Sequence, residues 1–207
     1  MSALNGTRLY PLTDRPLSGL SHAEQVSQLC EGGATLIQLR EKILSPLEFY
    51  SEAEAALRVA RERGIKIIIN DRVDIALTLN ADGVHLGQDD LPPEAARRIL
   101  GPDKIIGFST HDPEQARHAA QMPVDYIAIG PIFATSTKQA ADPQIGLDGF
   151  RVARQAVGTI PLVAIGGITL ENSQAVLEAG ADAIAVISDI WNPRGRGVEQ
   201  TNRLLHR

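Results

Sequence analysis

Short apolar runs alternate with amphipathic stretches from one end of the chain to the other. The runs cover residues 8–12, 35–39, 66–69, 83–86, 104–108, 125–129, 162–165 and 183–187. Several are nearly continuous Ile, Val, Leu and Ala, the composition of parallel strands buried on both faces. The stretches between them have helical spacing. Ser21 reads as an N-cap, with Glu24 three residues on completing a capping box. Ser45-Pro46 followed by Glu48 repeats the signal, with proline at the first helical position. Further helices are expected over 72–79, 93–100, 113–121, 147–157, 170–179 and 195–206. Gly64 and Gly180 fall where helix-ending glycines belong.

Eight strand–helix pairs in 207 residues leave little for a second domain, so residues 1–207 read as one. Two α/β architectures compete: a closed (β/α)8 TIM barrel and an open doubly wound sheet. The count of eight favours the barrel. So does the lack of G-x-G-x-x-G after the first strand, where a dinucleotide-binding sheet would carry it. One connection, 130–146, exceeds the usual loop length and is a candidate lid.

Composition narrows the function classes. A net charge of −5 argues against general nucleic-acid binding. No apolar run approaches the ~18 residues of a membrane span, and the first seven residues lack the features of a signal peptide. A cytoplasmic location is expected. The single Cys30 can form no intrachain disulfide and, beside Val26 and Leu29, reads as a buried thiol. Trp191 is expected to pack on the barrel, with a homodimer contact as the alternative. The tail 192–197 reads as a connecting loop, although its two arginines could attract phosphate.

Barrel active sites form at the C-terminal ends of the strands, and unusual polar residues cluster there. Arg40 and Lys42 follow the second run on one side of an extended chain. Asn70-Asp71 follow the third, Gln88 to Asp90 the fourth, Ser109 to His111 the fifth and Thr135 to Lys138 the sixth. Each has a plainer alternative. Arg40 and Lys42 could be a solvated pair, Asp71 a helix cap, Asp90 a turn residue and Lys138 a surface lysine. Gly166-Gly167 suits close approach to a phosphate, or simply a tight strand-to-helix turn.

Charge joins these residues into one hypothesis. A diphosphate monoester carries about −3 near neutral pH. Asp71 and Asp90 add two negative charges, while Arg40, Lys42 and Lys138 add three positive ones. One divalent cation brings the sum close to zero, and carboxylate with phosphate oxygens suits magnesium. A second phosphate site at the Gly-Gly turn would suit a transferase joining two molecules.

The segments 10–14 (YPLTD), 38–42 (QLREK), 68–72 (IINDR), 81–90 (ADGVHLGQDD), 130–138 (GPIFATSTK) and 164–168 (AIGGI) strongly resemble the thiamine phosphate synthase family. The resemblance spans essentially the whole chain. It implies a cytoplasmic TIM-barrel transferase of thiamine biosynthesis that requires Mg2+. Its two small-molecule substrates would be 4-amino-5-hydroxymethyl-2-methylpyrimidine diphosphate and 4-methyl-5-(2-phosphoethyl)thiazole, and its products thiamine monophosphate and pyrophosphate. By similarity Gln38, Leu39, Arg40, Glu41, Lys42, Asn70, Ser109 and Lys138 would contact the pyrimidine diphosphate. Arg40, Lys42, Ser109 and Lys138 would be the catalytic residues, and Asp71 and Asp90 would hold the metal. Thr135, Ser136, Thr137, Gly167, Ile187 and Ser188 would hold the thiazole phosphate. A related tautomerase, with His111 as proton-transfer residue, and a non-catalytic phosphate-binding regulator are the rival readings.

Overall fold

The computed structural model describes residue 4 and residues 6–135, 143–191 and 197–206. Eight parallel strands form one sheet: β1 (Leu9–Pro11), β2 (Leu36–Leu39), β3 (Lys66–Asn70), β4 (Gly83–Leu86), β5 (Ile105–Thr110), β6 (Tyr126–Ile129), β7 (Leu162–Ile165) and β8 (Ala183–Val186). Each is hydrogen-bonded to the next from β2 through β8, and β8 pairs with β1 in the register Leu9 to Ile184. The last seam, between β1 and β2, closes through a single parallel bridge from Leu12 to Gln38. The sheet is therefore a TIM-type barrel, and all eight expected strands are present.

Helices cover the outside: α2 (His22–Glu31), α3 (Pro46–Glu62), α4 (Val73–Thr78), α5 (Pro93–Leu100), α6 (Pro113–Ala119), α7 (Gly146–Val157), α8 (Ser173–Glu178) and α10 (Gly197–Leu205). Both expected capping boxes form, Ser21 with Glu24 and Ser45 with Glu48. Each such cap stabilises its helix by about 1 kcal/mol. Gly64 and Gly180, at φ +68° and +103°, follow α3 and α8 in the backbone region that favours glycine.

Four expectations need correction. α8 begins three residues late, because the Thr169 amide donates to Asn172 Oδ1 in a turn first. Two four-residue helices, α1 (Arg15–Ser18) and α9 (Ser188–Trp191), were not foreseen. Asp71 is not a helix cap: the residue at the start of α4 is Arg72, with no side-chain cap bond. Cys30 packs against the core but is partly rather than fully buried. Trp191 does pack on the barrel, its indole N–H donating to the Leu12 carbonyl at 2.8 Å.

Alternation along the strands sorts two apolar layers. Ile37, Leu39, Ile67, Ile69, Val84, Leu86 and their equivalents face outward against the helices. Tyr10, Leu36, Ile68, Tyr126, Ala128, Val163, Ala183 and Ala185 fill the interior. Burying one such aliphatic side chain contributes about 1.5–3 kcal/mol, so the closed barrel is a packed solid below its C-terminal rim.

Candidate active site

The interior changes character toward the C-terminal ends of the strands. There Gln38, Asn70, His85 and Ser109 take inward positions that apolar residues hold lower down. They line the floor of a cavity of about 340 Å3, with Tyr10 beneath. The Asn70 amide nitrogen is buried and has no hydrogen-bond partner among the described residues. A buried donor left unpaired is costly, so it calls for an acceptor on a ligand.

The segment after β2 supplies two cations. Arg40 lines the cavity while its Nη1 pairs with Asp14 at 2.8 Å, and its backbone N–H donates to Thr13 Oγ1 at 3.0 Å. Lys42 also reaches the cavity, with Nζ 2.5 Å from Asp71 Oδ2. Arg40 is largely buried, whereas the Lys42 side chain is half exposed at the rim. Leu39 and Glu41, which flank Arg40 in sequence, turn elsewhere. Leu39 packs outward in the barrel–helix layer. The Glu41 carboxylate accepts from the amides of Lys42, Ile43 and Leu44 and faces His22 Nε2 at 3.3 Å. His22 Nδ1 in turn meets Thr13 Oγ1 at 2.8 Å. Thr13, His22 and Glu41 thus brace from beneath the loop that carries the cations.

Burial alone would raise the Glu41 carboxyl, but the amides of Ile43 and Leu44 and the His22 ring outweigh it and hold it below its ordinary range. Burial, opposed mainly by Glu41, lowers the His22 imidazole.

Two carboxylates sit beside Lys42. Asp71 has φ +63°, a conformation that Asp tolerates better than most residues. Its N–H donates to the His85 carbonyl at 2.8 Å, which fixes the turn and aims the side chain at the cavity. Asp90 accepts from the Gly87 amide at 2.6 Å and lies within hydrogen-bonding reach of Asp71. Burial first and the neighbouring Asp90 second raise the Asp71 carboxyl, although Lys42 pulls the other way. Two crowded carboxylates served by one ammonium make an electrostatically under-neutralised, oxygen-only donor set. No group of three candidate ligands occurs among the described residues, so a metal here would take its remaining ligands from substrate and water.

Across the cavity, Gly166 and Gly167 have φ of +98° and +66°. A Cβ at Gly167 would lie 2.4 Å from the Ala134 carbonyl oxygen, so the tight turn needs glycine for packing as well. The amides of Gly167 and Ile168 make no backbone hydrogen bond among the described residues, and with Thr135, Ile187 and Ser188 they line this side. Ser136, Thr137 and Lys138 lie outside the described residues, as does the rest of 136–142 in the expected lid. So do the tail residues 192–196. His111 lines the cavity, with Nδ1 2.9 Å from the Gly130 carbonyl oxygen.

Tyr10, His85 and Tyr126, which do not stand out in the sequence as site residues, are hydrogen-bonded to one another and to Gln38 and Ser109 at the floor. The available signal was parity, since His85 and Ser109 share the inward side of their strands.

The family model described as thiamine monophosphate synthase matches residues 9–190. A thiamine-phosphate synthase of Clostridium novyi is 48% identical over 184 residues, 88% of this chain and 90% of the relative. One from Koribacter versatilis is 45% identical and covers 96% of both chains. Among solved structures, a thiamine phosphate pyrophosphorylase from Pyrococcus furiosus superposes with a TM-score of 0.86 at 39% identity, covering 97% of this chain and 94% of that one.

Proposed function

The chain belongs to the thiamine monophosphate synthase family and is an enzyme of thiamine phosphate formation; from that premise we propose how its own residues divide the work. The pyrimidine diphosphate lies over Gln38, Asn70 and Ser109, with its diphosphate toward Arg40, Lys42 and Lys138. The thiazole phosphate lies against Gly167, Ile187 and Ser188, with Thr135, Ser136 and Thr137 beside it. The observation that carries this division is one cavity with Asp71, Asp90 and Lys42 on one wall and the Gly166-Gly167 turn on the other.

Asp71 and Asp90 would hold a magnesium ion, which fits their oxygen-only, under-neutralised pairing. When bound, it supplies positive charge to the departing diphosphate. Arg40 and Lys42 act in the same sense, stabilising negative charge as the bond to the exocyclic CH2 breaks. The electron-rich aminopyrimidine spreads the resulting positive charge, and the opposite wall holds the thiazole nitrogen beside that carbon. No protein nucleophile is required. Lys42 would exchange its Asp71 contact for the diphosphate when metal and substrate enter.

Mixing both substrates with the protein, with magnesium and then with EDTA, tests this reading. Thiamine phosphate should form in the first mixture and stop in the second. No product with magnesium present would refute the proposed reaction, and full activity in EDTA would remove the metal from it.

A further inference from the structure

Across the floor of the cavity runs a continuous hydrogen-bond chain. Gln38 Nε2 donates to the Tyr10 hydroxyl at 3.0 Å. That hydroxyl meets the Tyr126 hydroxyl at 2.9 Å, which meets His85 Nδ1 at 2.8 Å. His85 Nε2 then meets Ser109 Oγ at 2.8 Å. Tyr10, Tyr126 and His85 are all buried, so water does not compete for these bonds. The rings are also fixed. Tyr126 stacks on His85 at 5.5 Å between centroids and stands edge-on to Tyr10 at 5.7 Å. Gly107 leaves room for this, since a Cβ there would lie 2.0 Å from the Tyr126 ring.

We propose that Tyr10, Tyr126 and His85 form a chain of fixed polarity that makes Ser109 a hydrogen-bond donor into the cavity. The direction follows from one end. A Gln38 amide nitrogen carries only hydrogens, so the Tyr10 oxygen accepts and its own proton passes to Tyr126. The Tyr126 proton is then donated to His85 Nδ1, which must be the bare nitrogen. The ring proton therefore sits on Nε2 and is donated to Ser109 Oγ. With one lone pair of Ser109 engaged, its hydroxyl proton remains for a ligand in the cavity that it lines.

Polarity matters because the pyrimidine diphosphate placed over Ser109 offers it bare acceptors, in its ring nitrogens and its phosphate oxygens. A donating Ser109 complements them, whereas a chain running the other way would turn lone pairs toward them. Tyr126 and His85 are in this sense positioning residues that act through Ser109. This use of the polarity rests on the diphosphate reading above, whereas the polarity itself does not.

The test is 15N NMR of the histidine rings in the full chain, with His85 assigned by its loss in His85→Gln. The expected spectrum has a protonated Nε2 and an unprotonated, hydrogen-bonded Nδ1 for His85, and Tyr126→Phe should shift the Nδ1 resonance. A proton on Nδ1 in the unmodified protein overturns the proposal outright, as does a Nδ1 resonance unmoved by Tyr126→Phe.

Kinetics provide the second arm. Tyr126→Phe should lower kcat/KM for the pyrimidine diphosphate about fivefold to tenfold, the weight of roughly one hydrogen bond. The loss should disappear against a Ser109→Ala background, so that the double variant is no worse than Ser109→Ala. Losses that multiply would show Tyr126 acting independently of Ser109 and overturn the positioning role. If the unmodified protein made no thiamine phosphate, the functional reading would fall, and the ring spectrum would still decide the polarity.

Discussion

The two ends of the barrel use the same residue type in opposite ways. At the N-terminal end, Asp82, Asp125 and Asp182 each stand one residue before the inward-facing start of a strand and clasp the strand before. Asp82 donates its N–H to the Ile67 carbonyl at 3.0 Å and accepts the Ile67 N–H at 2.8 Å. Asp125 does the same with Ile106, and Asp182 with Leu162. Arg97 and Arg154 pair with the last two carboxylates at 2.6 and 2.7 Å. At the C-terminal end, Asp71 and Asp90 crowd each other, and the one lysine contact falls to Asp71. Complete partners mark a carboxylate spent on holding strands together, and incomplete ones mark a carboxylate kept for something that arrives later.

The largest expected effect breaks the unfinished end. Asp71→Asn or Asp90→Asn should lower kcat/KM at saturating magnesium by about 100-fold or more, the scale of a lost electrostatic partner to developing charge. Neither should lower the denaturation midpoint. Steady-state kinetics across a magnesium series would check this, and an unchanged metal response would remove both as ligands. The finished end should respond in reverse. Asp125→Ala should cost about 2 kcal/mol in chemical denaturation, because charged hydrogen bonds to Ile106 and Arg97 are lost. Its kcat per folded molecule should be unaltered; a catalytic defect without a stability defect would dissolve the contrast between the two ends.

Glu41 sharpens the comparison, since it is a fully partnered carboxylate inside the functional rim. Glu41→Gln should loosen the 42–44 backbone and raise the KM for the pyrimidine diphosphate about fivefold, with a smaller change in kcat. The smallest effect is a difference of sign with pH. Glu41 is depressed on folding, so its stabilisation is present above its unfolded pKa and lost as pH falls through the folded value. Asp71 is raised, so its contribution is present below its unfolded pKa and lost as pH rises through the folded value. In metal-free protein at neutral pH, Asp71→Asn should therefore melt above the unmodified chain and Glu41→Gln below it. The Asp71 gap should close as pH falls to about 4, near the ordinary carboxylate range, and the Glu41 gap should close only below that range. Melting curves that diverge on acidification would contradict these environments.

Much of this was readable in the sequence for a physical reason. Strands buried on both faces leave unbroken apolar runs, so all eight could be counted from residues such as Ile67 to Ile69. The cations and carboxylates of the rim stood out because Arg40, Lys42, Asp71 and Asp90 follow such runs directly. The same double burial concealed the floor. Where both faces are apolar, no alternation says which side is inside, so Tyr10, His85 and Tyr126 looked like ordinary strand residues. Glu41 illustrates a different loss, because adjacency to Arg40 and Lys42 suggested ligand contact while its carboxylate had a full set of amides to meet. The helices α1 and α9 are each four residues, too short for any periodicity to register.

The seam between β1 and β2 has a consequence for how the molecule is made. β1 meets its neighbour in sequence through one bridge, and its registered ladder is with β8, so Leu9 finds its partner only at Ile184. A ribosome adding roughly 5–20 residues per second would need on the order of 10–35 s to deliver that partner. Through that interval the first strand synthesised is an open edge, able to pair with other nascent chains. A message that ended before Ala183 would leave this edge permanently unpaired, and cellular quality control would meet an unclosed barrel rather than a shortened enzyme.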